Sequence, residues 1–195
     1  MSDRLYLSYW LRGFTEANML RHFATMLRKF PVSRLRPAME LHVYDTEFVE
    51  PSIFTGSYDD LNHFDQMIDD AKLHRSDRYG YELIAAWDLW QWDEKEWKIA
   101  PARVSLECFG TRFERERGED LRLEFGVEDQ FLPQLHVPGN SLPMVQSNIR
   151  SLLQLTRELD AVLLMEKRQL WSESGENFAD RLQATLTMAA EPGHG

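Results

Sequence analysis

The chain has 195 residues, 43% apolar and 12% aromatic, enough for one core, so a single domain over residues 1–190 with a loose tail at 191–195 is the expected organisation. A formal charge of −10 disfavours nucleic acid and anionic membrane as partners, because both attract a positive surface. The best apolar runs, residues 83–87 and 162–165, fall far short of the roughly 20 residues that span a bilayer.

Residues 5–11 alternate Leu5, Leu7, Tyr9 and Leu11 with Tyr6, Ser8 and Trp10, the period of a strand and not of an export signal. Thr15 can cap the helix that follows, with Phe14 stapled on Met19. Leu20, Phe23, Leu27 and Phe30 give that helix one buried stripe, and Pro31 stops it. A second strand is predicted over 38–49, where Met39, Leu41 and Val43 alternate with Glu40, His42 and Tyr44. The connection is long enough for a right-handed crossover. Residues 51–58 read as a loop. Asp59 or Asp60 then caps a short helix to about His74, with Leu61, Phe64, Ile68 and Ala71 inward.

Segments 79–92, 97–100, 103–113 and 121–127 read as an antiparallel meander joined by polar turns at 93–96 and 116–119. The hydrophobic phase slips near Gly110, which predicts a bulge and a bend. Residues 131–141 hold Pro133, Pro138, Gly139 and Asn140, a loop of turn residues. From Val145 through Ile149, Leu152, Leu159 and Leu163 one apolar stripe continues to about Trp171, a helix of roughly 43 Å that must lie along the sheet or project into a partner. Gly175 breaks it, and Phe178, Leu182, Leu186 and Ala189 mark a last short helix. The predicted fold is α+β. A strand-helix-strand start feeds a mostly antiparallel sheet of about six strands, with a long C-terminal helix packed along it. An elaborated ferredoxin-like sandwich and a helix-grip arrangement both fit.

Charge sign is segregated along the chain. Residues 1–36 carry seven basic side chains against two acidic ones, a net of +5; residues 37–71 carry nine acids and no Lys or Arg, a net of −9. Either the two segments lie together and neutralise each other, or the second offers an acidic face, including Asp45 and Glu47, to a basic partner. Trp87, Trp90, Trp92 and Trp97 fall within eleven residues. Alternation puts Trp90 and Trp92 on the face opposite Trp87 and Leu89. Such aromatics serve as cross-strand packing or as interface anchors. Nucleic-acid stacking is disfavoured, because Asp88, Asp93, Glu94 and Glu96 stand where interleaved cations are needed.

Asp59, His63, Asp70 and His74 are spaced 4, 7 and 4 apart and share one stripe of an ideal helix. These are donors for a divalent metal such as zinc, although the two pairs are about two turns apart and need help from His42, Asp45 or Glu47. The same spacing also suits a solvated helix face. Cys108, the one cysteine, reads as a small buried apolar residue, and it cannot form an internal disulfide, so a cytoplasmic protein held by packing is expected. Glu107, Glu114 and Glu124 lie among Arg103, Arg112, Arg115 and Arg122 and read as charge pairs on a wet face. No P-loop, dinucleotide-binding glycine pattern, zincin helix or nucleophile elbow is present.

Three functions are compatible with this pattern. The first is a non-catalytic binding protein acting through an acidic and Trp-rich surface (Trp90, Trp92, Trp97, Asp45, Glu47) on a basic protein or a second copy. The second is a small-molecule-binding domain or cryptic enzyme with a pocket between sheet and long helix, lined by Trp90, Trp92, Phe125 and Leu152. The third is a metal-dependent enzyme using the Asp/His stripe.

Overall fold

The computed structural model describes residues 3–48, 51–115, 117–132 and 141–173, together with 178, 180, 181 and 183. In chain order the elements are β1 (Arg4–Leu11), α1 (Met19–Lys29), β2 (Met39–Asp45), β3 (Phe54–Tyr58), α2 (Phe64–Leu73), β4 (Tyr79–Trp92), β5 (Trp97–Phe109), β6 (Leu121–Val127), α3 (Leu142–Val162) and β7 (Met165–Ser172). The strands form one seven-stranded sheet in the order β3-β2-β4-β5-β6-β1-β7, with every neighbouring pair antiparallel. The expected α+β fold, opening strand, helix, strand and carrying a long helix packed against strands near the C-terminus, is the fold of this chain.

Helices α1, α2 and α3 cover one face of the sheet. Leu5, Leu7, Tyr9 and Leu11 of β1, Leu41 and Val43 of β2, Tyr81 and Leu83 of β4, Leu106 and Cys108 of β5, and Leu123 and Phe125 of β6 point into a common core with them. From α1 that core takes Phe23, Met26 and Leu27, from α2 Met67, Ile68 and Ala71, and from α3 Leu152, Leu155 and Leu159. This is the alternation of a sheet with one packed face. The helix after β1 starts later than predicted: Thr15 opens a turn and Asn18 precedes the first helical residue, with its Oδ1 accepting from Thr15 N at 2.9 Å. Leu61, expected on the inner side of α2, sits in the 3-10 turn Leu61–His63 and is 51% exposed.

The strands at 79–92 and 121–127 form as the alternation predicts. Four other boundaries move. The segment 51–58 is not all loop, since Phe54–Tyr58 pairs with β2. β5 runs unbroken through Pro101, which is tolerated because the ladder to β6 covers only Ser105 to Cys108, leaving Pro101 on a free edge. Gly110 makes no bulge: the β4/β5 register is continuous from Gly80↔Phe109 to Trp92↔Trp97. Gly110 ends the strand at a point where a Cβ would collide with the Asp77 carbonyl. The register slip falls instead between Arg4 and Tyr6 against β6, where Gly126 takes φ +72°.

The largest correction concerns the C-terminal helix. It stops at Val162, and Leu163 turns extended with φ −92° and ψ 131°. Residues predicted to continue it form β7 along the outer edge of β1. Glu166, Lys167, Arg168 and Gln169 are all good helix formers, so local propensity is overridden by pairing. Trp171 stacks on Tyr6 with centroids 4.3 Å apart and donates from Nε1 to Ser8 Oγ at 3.0 Å. Phe178 is helical and buried as predicted. Leu182, Leu186, Ala189, the 191–195 tail and the turn-rich 133–140 segment lie outside the described residues.

Asn148, 1% exposed, ties α3 to the long hairpin. Its Oδ1 accepts from Trp90 N at 2.9 Å, while its Nδ2 donates to Trp90 O at 2.9 Å and Gln130 O at 2.8 Å. The side chain acts as a one-residue strand partner. Asn148→Ala orphans these backbone groups, and the expected result is a loss of about 2–3 kcal/mol, read as a lower urea midpoint at unchanged m-value.

Candidate functional site

Among the described residues the opposite face of the sheet carries no helix. One end is capped by residues 110–115 and 117–120 and by Phe48. Phe113 packs on Phe109 and Phe48, and Tyr44 completes this second, smaller cluster. Gly80 makes the cap possible, since a Cβ there would stand 2.5 Å from the Phe113 ring. Arg117 lies 3.7 Å over the Trp171 ring and holds the loop across β7.

Beneath the cap the register aligns His42, Glu82, Glu107, Arg122 and Ser8 in one row across five strands. Arg122 donates from Nε to Glu107 and from NH1 to Glu119 Oε1 at 3.2 Å, and its guanidinium lies 5.1 Å over Phe109. Glu107 is 4% exposed, and burial pushes its carboxyl up to about 7 against the opposing pull of Arg122. Glu82 accepts from Ser105 Oγ and, at 3.3 Å, from Tyr44 OH. The sequence pattern placed Glu107 and Arg122 as a charge pair on a wet face. They are indeed paired, but sealed from water.

Past this row the face opens into two clefts. The larger, about 550 Å³, is lined by Glu40, His42, Ser57, Ile84, Ala86 and Arg103, with Arg36 and Asp59 at its rim. The smaller, about 300 Å³, lies between Arg4, Glu82, Ser105, Glu124 and Arg103. Arg103 lines both. In the smaller cleft Arg4 is already bound to Glu124 at 2.9 Å.

The residues singled out from sequence are dispersed. Trp90, Trp92 and Trp97 share the helix-free face at the hairpin tip, with Trp92 and Trp97 6.0 Å apart. Asp45 pairs with Arg78 at 3.0 Å at the other end of β4, and Glu47 is nearby. Asp45 sits opposite Tyr79, so roughly 40 Å of strand separates these acids from Trp92. They do not form one surface with the tryptophans. Basic and acidic segments meet at Arg28 and Asp65, 3.3 Å apart.

The Asp/His stripe is broken because Asp59 precedes the 3-10 turn and is not helical. His63 stands 3.3 Å from Asp60, Asp70 accepts from Tyr58 OH at 2.7 Å, and the His74 ring lies 4.6 Å from that of Phe54. Among the described residues no three His, Cys, Asp or Glu side chains are grouped to hold a metal ion. The pocket expected between sheet and long helix is not formed by its four predicted residues: Phe125 and Leu152 are packed in the core, and Trp90 and Trp92 face away. A groove of about 460 Å³ does run between the end of α1 and α3, with Trp87 in its wall. Cys108 is buried, and burial pushes its thiol up. No described helix is long and apolar enough to cross a membrane.

No family model matches the chain, and no curated protein or solved structure matches it. The site is therefore defined by its own chemistry. Glu40, Arg36 and Arg103 escaped sequence reasoning because the pairing of β2 with β4 joins distant segments. Glu107 did leave a signal, an acid between the strongly apolar Leu106 and Cys108.

The raised Glu107 carboxyl sets a pH dependence. The folded state holds a proton that the unfolded chain releases from about pH 4.5, so this group's stabilisation is present at low pH and is lost as pH rises through about 7. Glu107→Gln removes that loss. Between pH 5 and pH 8 the stability of the variant relative to wild type is expected to rise by about 2–3 kcal/mol, measured by urea denaturation across pH.

Proposed function

We propose that the chain is a non-catalytic binding protein whose working surface is the helix-free face of the sheet. The observation that carries this reading is the pair of clefts meeting at Arg103 on the uncapped part of that face. Their volumes fall in the range of small-ligand sites. Binding is favoured over catalysis because the groups with catalytic potential are spent on structure. Glu107 and Cys108 are buried, and Glu82 is held by Ser105 and Tyr44. A reducing compartment such as the cytoplasm suits a chain whose single cysteine is buried in the core.

A thermal-shift screen of small polar metabolites against wild type and Ser57→Trp tests this. Ser57 is exposed on the cleft wall, so the variant folds while its indole fills the space. Hits that raise the melting temperature of wild type and not of the variant are expected. A blank screen, or hits indifferent to the substitution, would overturn the proposal.

A protein partner is the second reading, supported by Trp90, Trp92, Trp97 and Ile99 on one face of a hairpin arm that outruns its neighbouring strands. Ile99 is 49% exposed, and Trp97 Nε1 is buried with no acceptor. At the tip Asp93 is paired with Lys98, and Glu94 and Glu96 on either side of Lys95 are left to match a basic segment. Titration with an oligolysine peptide at low salt is expected to shift the tryptophan emission of wild type but not of Trp92→Ala/Trp97→Ala. An unshifted wild type removes this reading.

A further inference from the structure

The larger cleft has a charge pattern that narrows its ligand. Viewed across the strands, Asp59 and Glu40 stand on the β3/β2 bank, Ile84 and Ala86 of β4 make an apolar floor, and Arg103 of β5 forms the far bank. Two strand spacings separate β2 from β5, roughly 10 Å. No ion pair joins Arg103 to Glu40 or Asp59 among the described residues, and both charges line the cleft on either side of that floor.

The register explains why Arg103 stays free. Its partner on β4 is Ala86, and on the other side Gly126 would bring its Cβ to 3.6 Å of the Arg103 carbonyl. No carboxylate stands directly opposite. Among the described residues the side chains of Arg103, Arg36 and Asp59 have no ion-pair or hydrogen-bond partner. Other arginines of this face are engaged: Arg4 by Glu124, Arg122 by Glu107 and Glu119, and Arg117 by Trp171.

The acidic bank is positioned as well. His42 lies with Nε2 3.5 Å from Glu40 Oε1 and Nδ1 3.2 Å from Thr55 Oγ1, so the imidazole backs the Glu40 carboxylate from the floor of the cleft. Glu40 remains 46% exposed. His42 Nε2 is buried and makes no hydrogen bond among the described residues, so the Glu40 carboxylate is its polar neighbour.

We propose that this cleft binds a small zwitterion, with an ammonium at Glu40 and Asp59, a carboxylate at Arg103, and a short apolar body across Ile84 and Ala86. This rests on the helix-free face being the binding surface. Arg103 across the floor from Glu40 and Asp59 favours a ligand with both charges over a simple anion, which would meet Glu40 and Asp59, or a simple cation, which would meet Arg103. The apolar floor favours methylenes between the charges.

NMR titrations at low ionic strength with 5-aminopentanoate, pentanoate and pentylamine test the idea. The zwitterion is expected to bind at least about tenfold more tightly than either half-molecule, with shifts confined to β2, β4 and β5 around the cleft. Arg103→Gln should reduce its affinity to that of pentylamine, and Glu40→Gln to that of pentanoate. Both side chains are solvent-facing, and unchanged melting temperatures would show that the variants are folded. Equal binding of pentanoate and the zwitterion, or indifference to both substitutions, overturns the zwitterion assignment. If none of the three binds but the metabolite screen yields hits that Ser57→Trp abolishes, the ligand class is wrong and the binding face stands. If both experiments are blank, both proposals fall.

Discussion

A sheet has two faces, and the described residues supply helices for only one of them. That constraint shapes the rest of the molecule. On the helical side, hydrophobic burial follows from alternation and needs little beyond close packing. On the other side, seven strands would present water with a broad surface. The chain covers one end with a loop clamped by aromatic and guanidinium stacking and leaves the remainder open. The boundary between the two regimes is the row from His42 to Ser8, where charges are buried in mutual contact.

Burying Glu107, Arg122 and Glu119 together is not a cheap way to stabilise a protein, since desolvation offsets most of the attraction between ions. Its value lies in orientation. Arg122 joins carboxylates from β5 and from the cap loop, so the loop can seat in few other ways. The cap ends where it does because Phe113 fits only over the glycine at the start of β4. The uncapped clefts are the surface left by that arrangement.

Much of the fold was legible because period-two alternation directly encodes which side of a strand is buried. It gave β4 and β6 their observed limits and put Trp87 and Trp90 on opposite faces. Where local and global preferences diverge the sequence misled. Glu166 to Gln169 favour a helix, and only the vacant edge of β1 makes them a strand. Phe54–Tyr58 has too little apolar content to announce itself, and it exists as an edge beside β2. The candidate site was almost wholly hidden. Its facing residues, Glu40 and Arg103, are distant in sequence and are brought together only because β2 pairs with β4 and β4 with β5. The Asp/His stripe, by contrast, was visible but assumed an ideal helix that begins too late to include Asp59.

The position of β1 has a consequence for the life of the chain before it is folded. β1 is an interior strand of the sheet, and both of its neighbours, Leu121–Val127 and Met165–Ser172, follow it far along the chain. Leu5, Leu7, Tyr9 and Leu11 therefore leave the ribosome before either strand they pair with. Contacts of such sequence separation make closure slow. During that interval an apolar strand with two bare edges is open to any other chain at the same stage. Strand order alone thus sets an interval in which pairing with another nascent chain competes with folding.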